Sequence, residues 1–134
     1  MASATLLYDR DCGLCRWSLG KLLAWDRRAA LRPLALQEPE ARELLAGMDE
    51  ERRMSSWHLV TSDGSVSSAG DAFGPLLRLL PAGRPLAALA ELSPRLSERA
   101  YRLVADHRSA FGRPITSGAK RRADRRIAAR EAPR

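Results

Sequence analysis

The chain of 134 residues has only two cysteines and two histidines. Two cysteines exclude a scaffold held by several disulfides, and a bridge between Cys12 and Cys15 would close too small a loop to stabilise the fold much. Structural zinc needs four ligands, but His58 and His107 are far apart in the sequence and lack the usual ligand spacing. We therefore expect no metal and no cofactor.

Long apolar stretches are also absent from the sequence. No run of about 18 apolar residues could span a membrane, and no basic-then-apolar leader precedes the first predicted strand. We therefore expect no membrane association and a cytoplasmic location, where a lone cysteine pair is more often catalytic than structural. The hydrophobic content of 45% and charged content of 29% are typical of one globular domain.

The two cysteines stand close together in the segment Tyr8-Asp9-Arg10-Asp11-Cys12-Gly13-Leu14-Cys15. An apolar strand pattern precedes this segment and a helical pattern follows it, so Cys12 is predicted at the helix start and Cys15 one turn further on the apolar face. The positive end of a helix stabilises a thiolate. We therefore predict that Cys12 is the nucleophile and that Cys15 resolves a mixed disulfide.

Charged neighbours complete the candidate site. Arg10 and Arg16 place positive charge near Cys12 in the sequence, which favours its thiolate, and Gly13 opens the helix beside it. Asp9 has two interpretations. It could act as a general base through water, or it could accept backbone N–H groups in the loop before the helix.

The pattern of apolar residues predicts the order β-α-β-α-β-β-α followed by further helices. The predicted elements are strands at 5–8 and 31–36, a helix at 39–48, a hairpin of Trp57–Thr61 and Ser65–Ser68 around Asp63-Gly64, and helices at 71–80, 86–92 and 94–111. His58 is expected on an exposed strand face and His107 on an apolar helix face. A C-x-x-C that opens the first helix of this order indicates an α/β, thioredoxin-like fold of three layers with a small mixed sheet and a C-terminal helical extension.

The predicted domain covers residues 1–112, and residues 113–134 are predicted to be a disordered basic tail. The tail has eight basic and two acidic residues, so it carries most of the net charge of +7. It shows no apolar periodicity, and we expect it to be solvated. Attraction of the tail to nucleic acid or an anionic surface is the weaker alternative, because no aromatic residues interleave the charges.

The chain resembles the DCC thiol–disulfide oxidoreductases, a family named for a D-x-x-C-x-x-C motif that Asp9, Cys12 and Cys15 match. The likeness covers roughly residues 5–111 and implies a thioredoxin-like fold with disulfide chemistry at the cysteine pair. Outside the motif, family members carry similar residues at Leu36-Gln37, Trp57-His58-Leu59-Val60, Asp63-Gly64, Gly70-Asp71-Ala72, Tyr101 and Arg108. Arg10 stands where most members have glycine, and His107 where asparagine is usual.

The same resemblance directs attention to the loop before the hairpin. Thioredoxin-like folds usually carry a cis-proline beside the C-x-x-C, eight residues before the glycine of the hairpin turn, and this position is Ser56 here. Without proline we expect a trans peptide bond between Ser55 and Ser56, because a cis bond would cost about 2.5–4 kcal/mol. Ser55, Ser56 and Trp57 are therefore the predicted substrate-facing loop.

These observations predict a thiol–disulfide oxidoreductase of the protein-disulfide reductase type, acting through Cys12 and Cys15. Its expected partners are a disulfide-bearing protein or small thiol as substrate, and a cellular reductant system that reduces the oxidised pair. Two alternatives stay open. The chain could be a redox-silent thioredoxin-like module that binds a protein, or a redox sensor in which the disulfide alters what the basic tail binds.

Overall fold

The computed structural model describes residues 4–131, in which four strands form one mixed sheet. The strands are β1 (Ala4–Tyr8), β2 (Leu31–Ala35), β3 (His58–Thr61) and β4 (Val66–Ser68), in the order β2-β1-β3-β4. Strand β1 is parallel to β2 and antiparallel to β3, and β4 pairs antiparallel with β3. Because β2 is an edge strand, Pro33 within it removes no hydrogen bond that an inner strand would need.

Helices cover both faces of the sheet. They are α1 (Gly13–Trp25), α2 (Pro39–Leu44), α3 (Glu50–Met54), α4 (Phe73–Arg78), α5 (Arg84–Leu92), α6 (Pro94–Asp106), α7 (Arg108–Gly112) and α8 (Ser117–Glu131), with a 3₁₀ turn at Ala69–Ala72. The predicted hairpin is confirmed, and Gly64 supplies the positive φ of +87° that its turn requires.

The core has two halves because successive side chains of a strand point to opposite faces. Leu6 of β1 packs with Leu19 of α1 on one face, while Leu7 packs with Ala41 of α2 on the other. All four of these side chains are buried. The sheet therefore lies between two helical layers, which confirms the predicted three-layer α/β fold.

The C-terminal segment differs from the expectation. Residues predicted to form a disordered tail include helix α8, whose Ala123 and Ile127 are buried. A β-carbon placed on Gly20 of α1 would lie 2.5 Å from that of Ala123, so the two helices touch where neither has a large side chain. The boundary at residue 112 therefore does not separate folded from unfolded chain, although residues 132–134 lie outside the described part.

Two partly buried polar contacts help to explain why α8 is ordered despite its weak apolar pattern. Arg130 donates to the carboxylate of Asp26 at 2.9 Å, and the Tyr8 hydroxyl donates to Glu131. Asp26 is completely buried, so its charge requires a partner. Short-range periodicity does not detect such contacts, since their residues are more than one hundred positions apart.

Both histidines lie elsewhere than predicted. His58 is fully buried, and its ring contacts the Ser68 hydroxyl at 2.6 Å and the Arg53 carbonyl at 2.8 Å. His107 is exposed because α6 ends one residue earlier and its backbone leaves the helical region there. The predicted helix 94–111 is therefore two helices, and this break directs the next residue, Arg108, toward the cysteines.

No helix within residues 4–131 has both the length and the apolar character that crossing a membrane requires.

Candidate active site

The thiol pair lies at the N-terminus of α1, as the sequence predicts. Cys12 is the N-cap residue with extended backbone (φ −99°, ψ 111°), and its Sγ accepts a hydrogen bond from the backbone N–H of Cys15 at 3.3 Å. A cysteine thus takes the place that serine or aspartate usually fills at a helix start. Both cysteines are free thiols, and both are partly buried.

The environments of the two thiols shift their pKa values in opposite directions. The pKa of Cys12 is lowered to about 6, chiefly by the hydrogen bond from the Cys15 thiol, against the effect of burial. The backbone N–H of Cys15 and the charge of Arg108 lower it further. The pKa of Cys15 is raised above its ordinary value by the hydrogen bond to Cys12, by burial and by the neighbouring negative charge. At neutral pH, Cys12 is therefore the thiolate and Cys15 the thiol.

Arg108 supplies the positive charge that the sequence analysis assigned to two other arginines. It opens α7, and its guanidinium lies 3.9 Å from the carboxylate of Asp9. The Arg10 guanidinium instead pairs with Glu38, and that of Arg16 lies 3.4 Å from Asp124. The cation that lowers the pKa of Cys12 is therefore Arg108, whereas the sequence predicted Arg10 and Arg16. The motif spacing could not reveal this residue.

Asp9 organises the loop in front of the thiols. Its Oδ1 accepts a hydrogen bond from the backbone N–H of Asp11 at 2.9 Å and another from the Gln37 side chain at 2.8 Å. Gln37 in turn accepts from the backbone N–H of Arg10 at 3.1 Å. These bonds provide the loop-stabilising role predicted for Asp9, and its role as a base toward Cys15 stays a prediction.

Gly13 lies in the first turn of α1, where the sequence places it. A β-carbon at this position would be 3.7 Å from Nζ of Lys120 in the chain segment that forms α8. The C-terminal helix therefore reaches the start of α1 and contributes to the surroundings of the thiols.

An apolar cavity of about 290 Å³ opens beside the resolving thiol. Cys15 lines it together with Ser56 and Trp57, so the structure brings two residues of the predicted loop to the cysteine pair. Ser55 is exposed at the end of α3, and the Ser55–Ser56 peptide bond is trans, as predicted. The loop side of the candidate site is thus formed by Ser56 and Trp57.

An aromatic cluster of Trp57, Phe73 and Tyr101 lines this cavity. The Trp57 ring stacks on Tyr101 with centroids 5.7 Å apart, and Phe73 meets Trp57 edge-on at the same distance. The Tyr101 hydroxyl accepts a hydrogen bond from the backbone N–H of Trp57 at 3.0 Å. These contacts fix the loop against α6. Tyr101 and Arg108 are the site residues that motif reasoning missed, and the only signal for them was their place in the family resemblance.

The chain matches the profile of one protein family over most of its length. The DCC1-like thiol-disulfide oxidoreductase profile aligns with residues 6–114. The chain belongs to this family. The matched region contains the cysteine pair, the loop at Ser56 and Arg108, and it ends before α8. No curated protein and no solved structure gives a significant match.

Within the part of the chain that the structure describes, no three His, Cys, Asp or Glu residues lie close enough together to hold a metal ion.

Proposed function

We propose that the chain is a dithiol oxidoreductase that reduces disulfides of a protein or small-thiol substrate through Cys12 and Cys15. Membership of a thiol–disulfide oxidoreductase family supports the reaction class. The observation that carries the proposal is the position of the thiols at the start of α1, where Cys12 Sγ accepts the backbone N–H of Cys15. This arrangement lowers the pKa of Cys12, the nucleophile, while the pKa of Cys15 is raised.

In the first step, the Cys12 thiolate attacks one sulfur of the substrate disulfide. A bond forms between Cys12 Sγ and that sulfur, the substrate S–S bond breaks, and the second substrate sulfur leaves as a thiolate. Arg108 and the N–H groups at the start of α1 stabilise the attacking thiolate and the negative charge that moves through the site.

In the second step, Cys15 attacks Cys12 Sγ and releases the remaining substrate sulfur, which accepts the Cys15 proton. The first step itself activates Cys15. Once Cys12 is in a mixed disulfide, it no longer carries the charge that raises the pKa of Cys15. Two electrons have then passed to the substrate, and the resulting Cys12–Cys15 disulfide is reduced by a cellular reductant system.

The test is a single turnover of fully reduced protein with hydroxyethyl disulfide, followed by acid quench, alkylation and mass spectrometry. The native protein should form an intramolecular disulfide, Cys15→Ser should stop at a mixed disulfide on Cys12, and Cys12→Ser should give no fast reaction. Fast reaction of Cys12→Ser would contradict the mechanism. Absence of reaction in the native protein would favour a redox-silent binding module.

A further inference from the structure

A second apolar cavity lies next to the one beside Cys15. Its volume is about 580 Å³, and it opens between α1, the end of α6 and the segment that leads into α8. Its apolar walls include Leu14, Trp17, Phe111 and Ile115. Phe111 is 46% exposed, which leaves a large aromatic side chain on the open surface. An exposed apolar surface of this kind is typical of a binding site.

The two cavities form one continuous apolar surface. Leu14, Ser18 and Val104 line both of them. Cys15 lines the first cavity, and its backbone N–H lies 3.3 Å from Cys12 Sγ, so a molecule whose disulfide reaches Cys12 comes beside the first cavity. Val104 is 40% exposed at their common border. The surface therefore extends from the reactive thiols toward Ile115.

The far wall of the second cavity lies beyond the region that matches the family. That region ends at residue 114, whereas Ile115, Thr116 and Ala119 belong to the wall. Helix α8 holds this wall in place, since it packs closely on Gly20 and bonds to Asp26. One wall of the second cavity is therefore formed by a part of this chain that the family profile does not include.

The charges that line the two cavities are unevenly balanced. Arg108 and Asp9 line the first cavity and form an ion pair with each other, whereas Lys21 lines the second, with its ammonium 5.7 Å from the centre of the Trp17 ring. The lining therefore has an excess positive charge at the second cavity. A partner with a carboxylate there is favoured over one with an ammonium group.

We propose that the two cavities bind an extended polypeptide segment that has apolar side chains at alternate positions next to the reactive cysteine and an acidic residue near Lys21. The proposal rests on the proposed disulfide reductase activity and specifies its substrate. Alternate side chains of an extended chain point to the same side, so two successive ones can enter two adjoining cavities. A small polar disulfide would leave these walls uncovered.

Three synthetic peptides test the proposal, each with one cysteine in a mixed disulfide with mercaptoethanol. The reference peptide has leucine two and four residues from the cysteine on the same side, and a glutamate at that end. The second replaces both leucines with serine, and the third replaces the glutamate with lysine. In single turnovers, the native protein should react with the reference peptide roughly tenfold faster than with the serine peptide, and a few-fold faster than with the lysine peptide.

Substitutions locate the preference. Ile115→Ser and Phe111→Ser should each bring the ratio of the leucine to the serine peptide closer to one. Leu92→Ser is the matched control, because Leu92 is 81% exposed on α5 and lines neither cavity. It should leave the ratio unchanged. Circular dichroism confirms that each variant is folded.

The outcomes separate this proposal from the reductase proposal. If the native protein reduces hydroxyethyl disulfide but reacts equally fast with all three peptides, the polypeptide site is overturned and the reductase activity stands. If it reduces neither the small disulfide nor any peptide, the reductase proposal fails and this proposal fails with it. A preference that Leu92→Ser reduces as much as Ile115→Ser would contradict the location of the site.

Discussion

Helix α1 has an aspartate–arginine pair at each end, and the two pairs differ in how completely they are satisfied. At the C-terminal end, Asp26 is fully buried and accepts hydrogen bonds from the backbone N–H groups of Ala30 and Leu31 at 3.0 and 2.9 Å. Arg130 adds a third bond at 2.9 Å and also donates to the Asp26 carbonyl. Charge and hydrogen-bonding capacity are matched there, as a structural contact requires.

At the N-terminal end, the corresponding pair is looser. Arg108 lies 3.9 Å from Asp9, which is beyond hydrogen-bond distance, and both side chains keep some exposure to solvent. Asp9 is instead held by Asp11 and Gln37. The guanidinium of Arg108 therefore remains available to stabilise the thiolate of Cys12. The same two residue types therefore hold the fold at one end of α1, where their hydrogen bonds are complete. At the other end they leave a guanidinium charge available to the thiolate of Cys12.

Removing α8, and with it the Arg130 partner of Asp26, should have the largest effect on the stability of the fold. Truncation after Gly112 deletes α8, exposes the side of α1 that Ala123 and Ile127 cover, and leaves the buried Asp26 without its cation. We expect a loss of more than about 5 kcal/mol in unfolding free energy. Urea denaturation followed by circular dichroism measures it. A truncated chain as stable as the native one would show that α8 contributes nothing to the fold.

A single substitution measures the contribution of the Asp26–Arg130 pair separately from the rest of α8. Arg130→Met should lower the unfolding free energy by about 3 kcal/mol, since it leaves an uncompensated buried carboxylate. Arg78→Met is the control, because Arg78 and Glu91 form an ion pair with both side chains nearly half exposed. Because that pair is exposed to water, it should contribute little to stability. Equal losses in the two variants would remove the distinction between a saturated buried pair and an exposed one.

A substitution in the Asp9–Arg108 pair should change the reactivity of Cys12 more than the stability of the fold. Arg108→Met removes a charge that lowers the pKa of Cys12. Alkylation of Cys12 by iodoacetamide at pH 6 should then slow, because a higher pKa leaves a smaller fraction of Cys12 as the thiolate. Arg10→Met is the control, since its guanidinium pairs with Glu38 and should leave the rate unchanged. A slower rate in Arg10→Met than in Arg108→Met would return the role to the residue predicted from the motif.

Local patterns in the sequence were sufficient for the sheet and for the cysteine pair. A short apolar stretch marks β1, Asp63-Gly64 marks the hairpin, and the motif places Cys12 at the start of α1. The contacts that the sequence did not reveal join distant residues. Ile127 is buried and Arg130 is partly buried against α1, although the sequence of their segment predicts a disordered tail.

The identity of the cation near the thiols could not be predicted for the same reason. Arg10 and Arg16 are close to Cys12 in the sequence, but each has an acidic partner elsewhere. Arg108 is distant in the sequence and reaches the site because α6 ends at Asp106. The end of that helix depends on the backbone of His107, which its apolar pattern gave no reason to expect.

The pH dependence of alkylation of the reduced native protein tests the central claim most directly, with each cysteine quantified separately by mass spectrometry. Because only the thiolate reacts, and because the pKa of Cys12 is lowered to about 6, its rate should rise through a midpoint near pH 6 and be constant above about pH 7. Cys15, whose pKa is raised, should stay largely unmodified at neutral pH. Equal rates for the two cysteines, or a Cys12 midpoint near the value of about 8.5 for an ordinary thiol, would contradict the division of roles between them.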